Sequence, residues 1–258
     1  MEFGIGGLRV LVTAGASGIG LEIARAFLRE GARAHVCDVG EARLAALGAS
    51  DPELTRSLCD VADRAQVTRL FEEALERLGG LDALVNNAGI AGPTGRVEDI
   101  SPEDWDRTLA VNITGQFNCT RLAVPHLRRS PNPSIVNLSS AAGKFAFPLR
   151  SPYSASKFGV IGFTRTLARE LGPDGIRVNA ILPGTVEGPR IDSVFENKAR
   201  ERGISAEEVR REALSLASLG RMIQPQDIAN LVVFICSPLG ANISGQSLSV
   251  DADAQMLP

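Results

Sequence analysis

The run Leu8-Arg9-Val10-Leu11-Val12-Thr13-Ala14-Gly15-Ala16-Ser17-Gly18-Ile19-Gly20 sets a β-branched apolar stretch directly against a glycine-rich turn. A short apolar run bounded by glycines reads as a buried strand. The following Ile19–Glu30 has helical spacing, so the turn joins a strand to a helix. Gly15, Gly18 and Gly20 permit tight turning and close backbone approach, and Ser17, Gly18 and Ile19 open the helix. Free N–H groups and positive dipole charge at that helix start suit a diphosphate. This first β-α unit carries the nucleotide-binding pattern.

The rhythm continues outward. Further strand candidates are Ala34–Cys37, Leu54–Leu58, Leu81–Asn86, Ser134–Leu138, Arg177–Leu182 and Ser247–Val250. Helical patterns lie between them at Arg64–Leu78, Pro102–Leu127, Tyr153–Leu171 and Gln226–Ile235. Gly31, Gly79 and Gly172 stand where helix C-caps are expected. A repeated β-α order implies a doubly wound α/β fold, a Rossmann-like and mostly seven-stranded parallel sheet with helices on both faces. No linker divides the chain, so residues 1–258 read as one domain. Residues 185–219 interrupt the rhythm with a charged, helix-prone insertion after a strand's carboxyl end, where a substrate loop or lid would sit.

Composition excludes several classes. The 258 residues carry a net charge of −3, which argues against nucleic acid as a main partner. No apolar run reaches the ~18–20 residues of a membrane span, and no signal peptide is visible. The four cysteines are scattered and only two histidines occur, so no metal site is expected. Reduced, buried thiols suit a cytoplasmic protein.

Asp38 follows the second strand, 18 residues beyond Gly20. A carboxylate there accepts hydrogen bonds from ribose hydroxyls and repels a 2′-phosphate. With no Lys or Arg at Ala16, Ser17 or Val39, the expected cofactor is NAD. Tyr153, the only tyrosine, lies four residues before Lys157, one of three lysines among 27 basic residues. Spacing i, i+4 places both on one helix face. A neighbouring ammonium favours phenolate; lowering a tyrosine from ~10 to about 7 takes roughly 4 kcal/mol.

Taken together, these residues resemble the short-chain dehydrogenase/reductase superfamily in its compact single-domain branch, over roughly Leu8 to Val250. Further motifs match in order. Asp60-Val61 resembles the family's adenine-contacting pair, and Asn87-Ala88-Gly89 its segment lining the cofactor groove. Asn112 resembles the helix asparagine that supports a catalytic water. Ser140, 13 residues before Tyr153, stands at the catalytic serine's usual spacing. Pro183-Gly184 resembles the loop closing on the nicotinamide, with Val186 offering its backbone. The chain departs from the family pattern at Ala14, at Gly188 and at Val250-Asp251-Ala252-Asp253.

The resemblance implies hydride transfer between a secondary alcohol or ketone and NAD. Asn112, Ser140, Tyr153 and Lys157 would be catalytic, with Tyr153 as general acid/base. Ala142, Phe147, Arg150 and Arg190 are candidate substrate contacts. A 3-oxoacyl thioester reductase of the same superfamily would share every catalytic residue. A nucleotide-sugar epimerase should be longer. A non-catalytic NAD-sensing protein should have lost Ser140, Tyr153 or Lys157. A homotetramer, pairing through the helices at Pro102–Leu127 and Tyr153–Leu171, is implied by the resemblance alone.

Overall fold

The computed structural model describes residues 2–257. In chain order the elements are β1 (Arg9–Thr13), α1 (Gly18–Arg29), β2 (Arg33–Asp38), α2 (Glu41–Ser50), β3 (Thr55–Leu58), α3 (Arg64–Leu78) and β4 (Ala83–Asn86). There follow α4 (Pro102–Leu109), α5 (Gly115–Leu127), β5 (Ser134–Leu138), α6 (Ser151–Leu171), β6 (Arg177–Pro183), α7 (Pro189–Arg202), α8 (Ala206–Ser215), α9 (Pro225–Cys236) and β7 (Ser247–Val250).

All seven strands pair in parallel in the order β3-β2-β1-β4-β5-β6-β7. Strand alternation feeds two cores. Val10, Val12, Val36, Val85 and Ile181 pack against α1, α2 and α9, whereas Leu11, Leu84, Ile135 and Val178 pack against α3, α5 and α6. Chain order reverses between β1 and β4. The carboxyl ends there form the crevice in which open parallel sheets bind ligands.

Local sequence explains most boundaries. Asp63 caps α3 by accepting from the N–H groups of Ala65 and Gln66 at 2.8 and 3.1 Å, and Gly79 ends that helix at φ +76°. Ser101 caps α4 ahead of Pro102 at N1.

Three details differ from the sequence expectation. Pro102–Leu127 is interrupted by a π turn at Ala110–Thr114, which inserts a residue without ending the helix. Gly172 is the C-cap of α6 but does not end the helix in the left-handed conformation. It stays right-handed and opens a 3₁₀ turn, and Gly175 takes the left-handed position at φ +74°. Helix α2 was not expected, because only Leu44 and Leu47 of its ten residues are buried.

The insertion is a helical hairpin. Phe195 and Ala199 of α7 meet Val209 and Ala213 of α8 in a small core of their own, with Ile191, Ile204 and Met222 at its edge.

Candidate active site

A cavity of about 600 Å³ follows the carboxyl ends of the strands, from Asp38 at one end to Tyr153 and α7 at the other. That volume lies within the usual range for small-molecule sites.

At the nucleotide end, Ala14 adopts φ +50°, the left-handed conformation that glycine takes without cost. The two glycines around it serve packing. A Cβ on Gly15 would lie 2.6 Å from Val36 Cβ, and one on Gly20 would lie 2.3 Å from the Ala14 carbonyl oxygen. Neither Gly15 nor Gly20 lines the cavity; Ser17, Gly18 and Ile19 do. Ser17 makes no side-chain cap to α1, and no acid occupies the first turn. The N-terminal N–H groups therefore remain open to an anion. Asn87 locks this turn to β4: its Nδ2 donates to the carbonyls of Thr13 and Ala14 at 3.0 and 3.1 Å. Thr13 Oγ1 accepts from the N–H groups of Asn87 and Ala88.

Asp38 is buried and accepts through Oδ1 from Gly40 N–H at 2.9 Å and from Arg43 at 2.6 Å. Both of these bonds are to Oδ1, so Oδ2 is left able to accept from a ligand hydroxyl. Arg43 is the residue the sequence reading overlooked. Positions 16, 17 and 39 lack a cation, but α2 folds back and carries one to the same carboxylate. Asp60 is engaged as well, accepting from Ala62 N–H at 2.9 Å and from Arg107 of α4 at 2.8 Å. Val61 lines the cavity beside it, its carbonyl taken by Asn118 Nδ2.

At the other end, β5 delivers Ser140 and α6 delivers Tyr153 and Lys157. Lys157 is buried, with Nζ donating to the Leu138 carbonyl at 2.9 Å and lying 5.6 Å from the centre of the Tyr153 ring. Burial would raise the Tyr153 phenol. The charge of Lys157, then Arg190, the neighbouring Ser140 hydroxyl and Arg150 outweigh it, so the phenol sits below its ordinary value. Lys157 itself is pushed down to about 8 by burial, offset in part by Tyr153 and deepened by Arg190.

Asn112 stands in the π turn, and its side chain has protein partners. Oδ1 accepts from Ile90 N–H at 2.7 Å, and Nδ2 donates to the Ile90 carbonyl and Ser156 Oγ, both at 3.0 Å. The side chain braces the loop after β4 against α6. Gly89 lies between this brace and the lysine: a Cβ there would stand 3.2 Å from Asn112 Oδ1 and 3.4 Å from Lys157 Nζ.

After β6, Gly184 must approach β7 closely, because a Cβ would come within 2.7 Å of Asp251 Cα. Thr185 O and Glu187 N–H both pair with Ile223, which makes Val186 the centre of a parallel bridge. In such a bridge the central residue's own N–H and C=O point away from the partner. Val186 lines the cavity, so its peptide is available there.

Phe147, Arg150 and Arg190 line the substrate end, with Ile191, Val194, Phe195 and Lys198 from α7. Ala142 does not: it is fully buried and donates its N–H to Ser140 Oγ at 3.1 Å, which fixes the serine rather than a substrate. Arg150 is buried, donating to Thr94 Oγ1 and to the Ala91 carbonyl at 3.2 and 2.6 Å. Arg190 donates to the Gly89 carbonyl at 3.1 Å. Lys198, buried and 4.0 Å from the Phe147 ring centre, had no signal in the sequence beyond being one of three lysines.

A family model described as enoyl-(acyl carrier protein) reductase matches residues 13–252. The chain belongs to the short-chain dehydrogenase/reductase family. This short-chain dehydrogenase/reductase is 37% identical to a 3-oxoacyl-[acyl-carrier-protein] reductase of Thermotoga maritima, over 93% of this chain and 95% of that protein. It is 34% identical to a D-beta-hydroxybutyrate dehydrogenase of Cupriavidus necator, over 96% and 97%. Among solved structures it resembles an actinorhodin polyketide ketoreductase variant with NADPH, at a TM-score of 0.88 and 38% identity over 94% of this chain and 95% of that one. The family acts on CH–OH groups with a nicotinamide cofactor, and this chain is an oxidoreductase of that kind. Among the described residues, no group of histidines, cysteines and acids could hold a metal, and no helix is long and apolar enough to cross a membrane.

Proposed function

We propose that the protein is an NAD(H)-dependent dehydrogenase/reductase of secondary alcohols and ketones. The observation that carries this reading is the Ser140–Tyr153–Lys157 constellation, anchored on the buried Lys157 and lining a cavity whose far end presents the Asp38 carboxylate. Bound nicotinamide supplies or accepts the hydride. Tyr153 gives its proton to a carbonyl oxygen in reduction and takes one from the hydroxyl in oxidation. Ser140, held by the Ala142 N–H, donates to the same oxygen as its charge develops. Lys157 stabilises the tyrosinate and stands ready for the nicotinamide ribose, while Asn112 keeps α6 in register with the loop after β4. Ser17, Gly18 and Ile19 would hold the diphosphate, Asp38 the adenosine ribose, and Val186 the carboxamide. Residues 185–219 would act as a lid within the single domain 1–258.

A second reading is favoured by the relatives. A 3-oxoacyl thioester reductase would use the same catalytic groups, and the polyketide ketoreductase neighbour carries NADPH. Arg43 supplies a cation beside the 2′-hydroxyl site for such a cofactor.

We further propose a cytoplasmic homotetramer. On the helices that would pair, Val160 and Leu167 belong to the core, but Trp105, Phe117 and Phe158 stand exposed on α4, α5 and α6.

The test is NADH or NADPH formation and consumption across a panel of secondary alcohols, ketones and 3-oxoacyl thioesters. Turnover of small ketones with NADH supports the first reading. Turnover confined to thioesters with NADPH supports the second. Activity on neither, with cofactor still bound, would favour a cofactor-sensing protein.

A further inference from the structure

Cations and aromatic rings alternate across the substrate end of the cavity. Lys157 Nζ lies 5.6 Å from the Tyr153 ring centre, and Arg150 Cζ lies 5.4 Å from the same ring centre and 5.5 Å from that of Phe147. Lys198 Nζ, on α7, lies 4.0 Å from Phe147. Arg190 adds a further cation at Gly89.

Among the described residues, Arg150 and Arg190 have no balancing acid within ion-pair distance. Of the acids lining the cavity, Asp38 and Asp60 pair with Arg43 and Arg107 at the nucleotide end, and Glu187 is bonded to Gln224.

Arg150 is the most telling of the group. It is 2% exposed, yet its Nε finds no hydrogen-bond partner among the described residues. A buried charged donor left unsatisfied is costly and points to a missing acceptor. The residue before it, Leu149, is held at φ +63°, a conformation a bulky side chain adopts only when its surroundings enforce it. The backbone is thus committed to presenting Arg150 from the start of α6, next to Tyr153.

We propose that this cavity receives substrates bearing a free carboxylate close to the reacting carbon, with Arg150 as the principal receptor and Arg190 and Lys198 as supporting cations. The proposal rests on the assignment of Tyr153 to the reacting carbon. A planar guanidinium suits a carboxylate, which can accept two parallel N–H bonds. Phe147, between Arg150 and Lys198, gives the short carbon chain an apolar wall. Burial, with a smaller contribution from Arg190, holds Arg150 down, and burial and then Arg150 push Lys198 down to about 8. A bound anion relieves both effects.

The experiment compares 3-oxobutanoate with its methyl ester. Calorimetric titration is made with oxidised cofactor bound, a state that cannot reduce a ketone, and kcat/KM is measured for the same pair with reduced cofactor. The acid is expected to bind roughly tenfold or more tightly than the ester, the range of a charge-assisted hydrogen bond. Arg150→Met should bring that ratio near one. Lys198→Met, which leaves the Thr94 and Ala91 contacts intact, should reduce it several-fold if Arg150→Met does not fold. Equal binding of acid and ester by the wild type overturns the inference, as does a variant that weakens both equally. Preferential acid binding without turnover of either compound would keep the receptor and overturn the assignment of Tyr153.

Discussion

Arg43 closes a 2.6 Å ion pair onto Asp38, the carboxylate proposed to receive the adenosine ribose. Asp38 is almost wholly buried and Arg43 is half exposed, so the acid is the fixed partner and the arginine the adjustable one. The pair places a group that repels a 2′-phosphate beside a group able to bind one. Which cofactor wins depends on whether the carboxylate remains.

Replacing Asp38 with serine should therefore shift preference toward NADPH. The variant loses the repulsion and releases Arg43, and a change of about 1.4 kcal/mol corresponds to tenfold. At least a roughly tenfold rise in the ratio of kcat/KM for NADPH over NADH is expected. Adding Arg43→Ala should remove most of that gain. An unchanged ratio in Asp38→Ser would show that the carboxylate does not set cofactor choice.

Ala14 offers a test on stability. A left-handed alanine costs roughly 1–2 kcal/mol, and glycine's freedom in the unfolded chain takes back about 0.4–1. Ala14→Gly should gain a net stabilisation of about 0.5 kcal/mol. Gly20→Ala, in contrast, pushes a Cβ into the Ala14 carbonyl and should destabilise the turn and weaken cofactor binding together. Chemical denaturation of both variants, with and without cofactor, reads the two effects.

The same turn shows how much of the site was legible in the sequence. The alternation of β-branched runs with amphipathic helices gave the order and type of nearly every element, because strands buried on both faces are continuously apolar. Glycines followed by a helix were readable as an anion cradle, but not which of them face the cavity. Gly15 and Gly20 serve strand and carbonyl packing, a property of the folded neighbours Val36 and Ala14. Arg43 was hidden because it lies on a helix with only two buried residues, so nothing in its periodicity announced the turn back toward Asp38. The π turn at Asn112 and the burial of Arg150 and Lys198 depend on contacts between distant segments. Local pattern does not carry such information.

His35 should make stability depend on acid. It is buried between Thr55 Oγ1 and Ser57 Oγ at 2.8 and 2.9 Å, and burial pushes it down to about 4. Unfolded, it titrates near 6.5. The folded state thus favours the neutral ring, and this contribution is intact above about pH 6.5. It is lost progressively as pH falls toward 4, by a total of about 3 kcal/mol. Urea midpoints measured between pH 4 and 7 should fall with acid, and His35→Gln should flatten that dependence. A parallel slope in both proteins would assign the acid sensitivity to other groups.

The central claim is that the Tyr153 phenol moves the proton while Lys157 and Ser140 make it able to do so. The most direct measurement is steady-state turnover of Tyr153→Phe on an accepted substrate, with cofactor affinity followed by fluorescence titration. A loss of at least ~100-fold in kcat, with cofactor binding within a few-fold of wild type, is the predicted result. Near-normal turnover in that variant would contradict the account.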